Sequence, residues 1–592
     1  MNRGNERADE LCTRALLLNR VEYDKLAPKM SRLRWSIVPP RPEADVLSAE
    51  LGIPLPIARI LTNRNILTPQ EAEIFLFGTF DHLHDPFLMA GMEKAVEKIR
   101  EAIRRKEKIL IFGDYDVDGV LSVVILMKAL RSLGGEVEYF IPQRLKEGYG
   151  LKEEHIQIAR EKNARLIISV DCGIKAVAFA ERARQEGLDV IITDHHLPGE
   201  AIPDAVAVLN PVLPESAYPY RNLAGVGVVF KLLQALLEKE GRRSSLPHYA
   251  KMVAIGTIAD VAELRGENRL LVKQGLRGLE SVSNIGLKSL LENCSLDGRK
   301  ITEGDVGFRI APRINAAGRM GAADDAVRLF FTASREESAK LAAWLGELNT
   351  KRQGEEDRIF RQALSRIKNN SLEKRYRLLV LGCETWHRGV IGIVASKLKD
   401  AFYRPVLLFS YEDGKAHGSG RSISRFSLIE CLDECRDVFL DYGGHTLAIG
   451  CVLQRDRMEE LKQRINCVVQ TRLRDEDLQK KIMVDAELGF SAIDVSFIEH
   501  LFRLAPFGVG NPKPILLSRD VEVAGPPQLI KDRHLKFLAR QDGKTFEALG
   551  WNKGEYASEI RKGAVISLVY SLQTSTFLGE EKLSLSVEDI GE

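Results

Sequence analysis

No stretch of this chain approaches the ~20 consecutive apolar residues needed to span a bilayer. The first twenty residues, MNRGNERADELCTRALLLNR, carry acids and lack the continuous apolar core of a signal peptide. Cysteine is sparse: eight are scattered, and only Cys431 and Cys435 lie close together, with no second pair or histidine at zinc spacing. A disulfide framework and a structural zinc site are thereby excluded, and a cytoplasmic chain with reduced thiols is expected. Charge of one sign is also missing. The net charge is +2, so the whole molecule makes no electrostatic case for a polyanionic partner, although a local basic groove would suffice. Low-complexity tracts, heptads and fixed-period repeats are absent, which removes coiled coils and solenoids. What remains is an ordinary globular composition, 45% hydrophobic and 28% charged. At 592 residues it suggests about four domain-sized units.

Residues 1–85 read as an adaptor of helices and irregular segments, interrupted by Pro39-Pro40 and Pro54/Pro56. Residues 86–334 alternate apolar runs with helical stretches. Ile109–Phe112, Val137–Ile141, Leu166–Val170, Val190–Thr193 and Val206–Leu209 are the expected strands, and Val120–Leu133, Glu153–Lys162, Ala176–Glu186 and Val226–Glu238 the expected helices. This is an α/β pattern, a doubly wound parallel sheet. A long connecting helix fills 335–375, and a smaller α/β unit follows over 376–470. From 471 to 592 the helical periodicity fades into short strands (ILLSRDVEV, HLKFLARQ, KTFEALGW, AVISLVYSL, KLSLSVEDI) suited to a small β-barrel. The basic run Arg352, Arg358, Arg361, Arg366, Lys368, Lys374 and Arg375 reads as a solvated helix face.

Four acidic sites stand out. Asp194, His195 and His196 follow an apolar strand and precede Leu197-Pro198-Gly199, which cannot continue it. ILIF runs into GDYDVDG, placing Asp114, Asp116 and Asp118 at alternate positions. The D-x-D-x-D-G pattern also opens an EF-hand loop, but such a loop needs glutamate at its twelfth position, which here is Ile125, and a helix before it where a strand stands. LIISVDCG puts Asp171 at another strand end, and AIGTIADVAEL sets Asp260 in an apolar stretch that is expected to deliver it the same way. Strand ends of open α/β sheets converge on ligand sites. Each carboxylate pair at ~4 Å costs from about 1 kcal/mol in water to about 4 kcal/mol near a protein surface. Bound cations or raised pKa values are needed to make such a cluster tolerable. Oxygen-rich ligation with one or two imidazoles suits Mn²⁺ or Mg²⁺ better than Zn²⁺. The number of acids suggests two ions about 3.5–4 Å apart, an arrangement that attacks phosphate esters.

Spaced as GDYDVDG, VDCG, TDHH and TIADVAEL, these motifs resemble those of the DHH phosphoesterases. FIPQRLKEGYGL, APRINAAGRMG, HRGVIGIVASKL, GSGRS, YGGHTLAIG and LAPFGVGNPKP narrow the resemblance to the RecJ family of bacterial single-strand-specific exonucleases, from about Pro86 to Pro514. The resemblance implies a DHH catalytic domain, a DHH-associated domain and a C-terminal oligonucleotide-binding (OB) barrel. It implies Asp116, Asp118, Asp171, His195 and Asp260 as metal ligands, and Asp114, Asp194 and His196 as catalytic or supporting groups; which histidine ligates stays open. Arg144, Arg313 and Arg319 are fixed-charge forks matched to phosphate oxygens. Ser419 and Arg421, and Gly443, Gly444 and His445, stand where glycines let a backbone approach an anion. Cleavage of single-stranded DNA from its 5′ end, in recombination and repair, follows from the resemblance alone. So do a monomeric state and partnership with a single-stranded-DNA-binding protein and a recombination helicase. The competing readings are a small phosphodiesterase of the superfamily acting on oligoribonucleotides or cyclic dinucleotides, and a non-catalytic DNA-binding scaffold.

Overall fold

The computed structural model describes residues 33–143, 148, 150–577 and 580–591. A strand β1 (Arg34–Ile37) leads into helices Glu43–Leu51, Leu55–Asn63 and Pro69–Phe77. The prolines expected to interrupt this region also start helices. Pro54 precedes Leu55–Asn63 and Pro56 lies in its first turn, where a missing N–H costs nothing. Thr68 and Glu71 close a capping box over the third helix.

The first sheet holds β2 (Ile109–Gly113), β3 (Val137–Phe140), β4 (Leu166–Val170), β5 (Asp189–Thr193) and β6 (Ala207–Leu209), all parallel, in the order β3-β2-β4-β5-β6. Every residue of β2 and β4 is buried, because helices cover both faces. Ile109, Ile111, Leu166 and Ile168 pack with helices Met92–Arg104, Val117–Ser132 and Gly225–Lys239. Leu110, Phe112, Ile167 and Ile192 pack on the other side with Ile156–Glu161 and Val177–Gln185. The helices after β2 and β4 therefore lie on opposite faces, which makes the gap between these neighbours the topological switch point.

Further helices run to Ala323–Phe331, and Ser334 then caps the connecting helix Arg335–Asn369 of 35 residues. Its basic run is not wholly solvated: Arg352 is buried, bonded to Asn349 and paired with Glu356. The second sheet comprises β7 (Leu379–Cys383), β8 (Val406–Glu412), β9 (Lys415–Arg421), β10 (Phe439–His445) and β11 (Ala448–Gln454), in the order β10-β11-β9-β8-β7, and only β7 and β8 are parallel.

Near the C-terminus come β12 (Lys481–Val484), β13 (Ala486–Glu487), β14 (Leu516–Val523), β15 (Gln528–Ile530), β16 (His534–Gln541), β17 (Lys544–Gly550), β18 (Val565–Phe577) and β19 (Glu580–Gly591). Pairings β14–β18–β19–β17–β16–β14 close a five-stranded barrel. The described N-terminal residues are not a separate adaptor. β1 pairs with β12, and Leu47, Ile57, Leu61 and Leu76 share one core with Phe497, Leu501, Leu516 and Tyr570. Arg269, 1% exposed, ties that module to the domain built on the first sheet. Its guanidinium donates to the carbonyls of Phe75, Arg503, Leu504, Ala505 and Pro506, so LAPFGVGNPKP is an interdomain joint. No helix among the described residues is long and apolar enough to cross a membrane.

Candidate metal centre and cleft

Asp114 and Asp171 leave the carboxyl ends of β2 and β4, on the two sides of the switch point. Asp116 caps helix Val117–Ser132, its Oδ1 accepting from Gly119 N–H at 3.1 Å. Asp118, in the first turn, turns inward to accept from the N–H groups of Gly225 and Val226 at 2.7 and 2.8 Å, at the N-terminus of helix Gly225–Lys239. Asp171 adopts φ +59°, a left-handed conformation that aspartate tolerates better than most residues. Asp260 is the exception to the strand-end expectation: it caps the C-terminal end of helix Pro247–Ala259. That segment is apolar on nearly every face, so periodicity could not separate a buried helix from a buried strand.

The two histidines differ in character. Asp194 Oδ1 accepts from the N–H groups of His195 and His196 at 2.7 and 3.0 Å and binds His196 Nδ1 at 2.7 Å, while Oδ2 accepts from Ile174 N–H at 2.9 Å. Burial works against ionisation of Asp194, yet the His196 bond and these N–H groups hold it below the usual carboxylate range. Burial likewise opposes the charge on His196, and the Asp194 bond overrides it and raises the imidazole's pKa. His195 is pushed down to about 4 by burial and by His196, so it is neutral near pH 7. Its buried Nε2 makes no hydrogen bond and lies 3.2 Å from Asp171 Oδ1, with Nδ1 3.9 Å from Asp260 Oδ2. A neutral imidazole aimed at carboxylates is the state a metal ligand requires.

The acids carry the strain of a like-charge cluster. Asp118 is pushed up to about 7 by burial and by Asp116. Asp171 is raised by burial and by Asp118, Asp116 and Asp114, and Asp260 by burial, Asp118 and Asp116. Three overlapping sets bring one donor atom per residue within 4.8 Å of one another: Asp171, His195 and His196; Asp118, His195 and Asp260; Asp114, Asp116 and Asp171. The donor chemistry fits a divalent cation with a preference for oxygen.

A cavity of about 600 Å³ separates Tyr115 and Arg319 from Ser419, Arg421 and Gly443 of the second sheet and from Arg388 in the turn after β7. Strand register sets its far wall, with Gly450 opposite Ser419 on one side and Gly443 on the other. A Cβ built on Gly443 or Gly450 would meet nothing within 4 Å, so this face is open. Arg421 Nη1 donates to Ser419 Oγ at 3.2 Å and to the Gly420 carbonyl at 2.7 Å. Arg319 reaches the Gly389 carbonyl at 2.7 Å. Gly444, at φ +139°, lies against Ala448. His445 is exposed and near enough to His195 for its charge to lower that imidazole's pKa. Arg313 is not among the residues lining this cavity; its Nε donates to Asn293 at 2.9 Å and its Nη1 to the Arg309 carbonyl at 2.6 Å. Arg144 lies outside the described residues.

Three features went unmarked in the sequence. Asn315 Oδ1 accepts from Val117 N–H at 3.3 Å, joining APRINAAG to the first acidic motif. A Cβ on neighbouring Gly318 would sit 2.1 Å from the Tyr115 carbonyl oxygen. Arg388, exposed in the cavity wall, belongs to HRGVIG. Unmarked as well was the Gly225-Val226 N–H pair, although the glycines opening an apolar helix in LAGVGVVF are a signal for it.

The DHH family N-terminal domain model matches residues 108–257, the DHHA1 domain 375–471 and the RecJ OB domain 484–589. The single-stranded-DNA-specific exonuclease RecJ of Bacillus subtilis (strain 168) is 38% identical over 566 residues, covering 94% of this chain and 71% of that protein. Its namesake in Escherichia coli (strain K12) is 33% identical over 574 residues, covering 92% and 97%. Among solved structures, RecJ in complex with Mn²⁺ from Thermus thermophilus superposes with a TM-score of 0.81 at 30% identity, covering 95% of this chain and 80% of that one. The Mg²⁺ complex from the same source gives 0.74 at 29% identity, covering 95% and 79%.

Proposed function

The chain belongs to the RecJ family of DHH phosphoesterases, and from that membership we propose that it is a metal-dependent exonuclease degrading single-stranded DNA from the 5′ end. The observation that supports this best is that Tyr115, between Asp114 and Asp116 of the acid cluster, lines a cavity shared with Arg319, Arg388 and Arg421. Asp116, Asp118, Asp171, His195 and Asp260 would hold Mn²⁺ or Mg²⁺, and the overlapping donor sets suit two ions. Once bound, such ions lower the pKa of water and neutralise charge on a phosphodiester. Asp114 completes the cluster as a supporting carboxylate.

The remaining chemistry belongs to the chain itself. Asp194 fixes His196 through Nδ1, so Nε2 would carry the proton that reaches the phosphate or its leaving oxygen. Arg421, Arg388 and Arg319, with Ser419 and the open Gly443 face, would hold the terminal phosphate and its neighbour. The barrel would stack nucleotides further along. A small phosphodiesterase would need neither that barrel nor its joint at Arg269, and a scaffold would need no neutral ligand-state His195. The same reading extends to a cytoplasmic monomer working beside a single-stranded-DNA-binding protein and a recombination helicase.

Asp171→Ala and Asp116→Ala should abolish turnover while leaving the fold intact, since each removes a charge from a repelling cluster. A variant that keeps a tenth of wild-type turnover at saturating Mn²⁺ would remove that residue from the ligand set.

A further inference from the structure

Around the end of helix Pro247–Ala259, where Asp260 is delivered, three apolar side chains stand in solvent. Val261 is 65% exposed, Phe308 85% and Val509 51%. They come from three separate segments. Val261 directly follows Asp260, and its N–H bonds the Ile258 carbonyl at 3.1 Å. Phe308 lies in the π-helical stretch Val306–Ile310, which packs on the same helix; a Cβ on Gly307 would sit 4.0 Å from Ile258 Cγ2. Val509 sits in the interdomain joint, its carbonyl accepting from Leu264 N–H at 2.7 Å. Gly508 and Gly510 on either side press against Leu264 and Glu263.

Folding alone gives no reason for this arrangement. Burying three large apolar groups would stabilise the chain, and exposing them forgoes that gain. Val261 is also held at φ +61°, a conformation in which a β-branched residue is an outlier. Such strain collects at ligand sites, as do π-helical turns. Glycine or asparagine would adopt this conformation at position 261 with less strain.

We infer that Val261, Phe308 and Val509 form an apolar lip that receives unstacked nucleobases beside the scissile phosphate. This rests on the exonuclease reading, which puts the phosphate on the cluster containing Asp118 and Asp260. The lip is continuous with that cluster through the Asp260–Val261 peptide. A strand whose phosphate reaches those acids carries its base to the neighbouring surface. Bases offer flat apolar faces that stack on phenylalanine and pack on aliphatic carbons. In a duplex those faces are already covered, so the lip rewards a strand that is single at the point of cleavage.

The test is a cycle between protein and substrate. Kinetics are measured on a 5′-labelled single strand and on the same strand with abasic sites at its first few nucleotides. Phe308→Ala should lower kcat/KM roughly 5- to 150-fold on the normal strand, with melting temperature and Mn²⁺ dependence unchanged. On the abasic strand the wild type should already have lost a similar factor, and Phe308→Ala should cost nothing more. Phe308→Trp should keep wild-type rates, and Val261→Gly, which relaxes the backbone, should show the same loss on the normal strand only. Equal losses on both substrates would overturn the lip, as would no loss on naked DNA, which would leave the patch to a protein partner. A wild-type chain that releases nothing from either strand overturns the exonuclease reading as well, whereas an active one indifferent to Phe308→Ala overturns the lip alone.

Discussion

Asp118 Oδ2 accepts a 2.7 Å hydrogen bond from the backbone N–H of Gly225, the first residue of a helix more than a hundred positions downstream. The same glycine makes room for a second acid, since a Cβ at 225 would sit 2.4 Å from Asp171 Oδ1. Gly225→Ala must therefore displace one carboxylate or the other. Misplacement by ~1 Å can cost on the order of 100-fold in rate. Gly225→Ala should lose at least that in turnover and bind Mn²⁺ more weakly by calorimetry, with its circular dichroism preserved. Wild-type Mn²⁺ affinity in this variant would argue against Asp118 and Asp171 as ligands.

The metal-free protein should lose stability as pH rises. Asp118, Asp171 and Asp260 all titrate above their unfolded values, Asp118 at about 7. Between the unfolded carboxylate range near 4 and that value, the folded chain binds more protons than the unfolded one, so stability falls with increasing pH. His195, held below its unfolded value, works the other way up to about pH 6.5. Thermal melts with chelator should therefore show Tm dropping from about pH 6.5 to about pH 8, and Mn²⁺ should restore most of the loss at the upper end. A metal-free Tm that is flat or rises across this window would contradict the ionisation states assigned to the cluster.

The catalytic sheet and three of the four acidic sites were legible because parallel strands are short, apolar and closed by Asp-Gly or Asp-His signals. The barrel strands were legible for a related reason, since turns such as Asp542-Gly543 punctuate them. Asp260 was located, but its element was not, because a helix buried on all sides carries no 3.6-residue rhythm. Partnerships across the chain were invisible. Nothing local in Ile57 or Leu61 indicates a core shared with Phe497, and nothing in Arg269 indicates the carbonyls of residues 503–506. Arginine roles were the least legible, because the guanidinium that reaches a ligand and the one that braces a helix look alike in sequence. Arg313 and Arg421 were both read as contacts to phosphate; of the two, Arg421 lines the cavity and Arg313 does not.

That difference separates the two arginines experimentally. Arg421→Ala should lose roughly 10- to 150-fold in kcat/KM, with the larger loss on a 5′-phosphorylated strand than on a 5′-hydroxyl strand. Arg313→Ala should lower the melting temperature and reduce activity equally on both ends, since it removes bonds to Asn293 and Arg309. End-selective loss in Arg313→Ala would place its guanidinium on substrate instead.

Deleting the barrel would strip the shared core from the N-terminal helices, so its role is better tested at its surface. Trp551, 51% exposed and edge-on to His534, offers a stacking face. Trp551→Ala should weaken binding of long single strands by roughly 5- to 150-fold, the equivalent of one stacked base, and leave strands too short to reach the barrel unaffected. Equal loss on both lengths, measured by fluorescence anisotropy, would argue that the tryptophan only supports the fold.

The most direct measurement is the release of mononucleotides from a 5′-labelled single strand with and without Mn²⁺, beside a blunt duplex and a dinucleotide. The expected result is stepwise Mn²⁺-dependent release from the labelled end of the single strand, little from the duplex, and none from any substrate with Asp171→Ala. Turnover confined to the dinucleotide, or strand binding without cleavage at saturating Mn²⁺, would contradict a 5′-acting single-strand exonuclease.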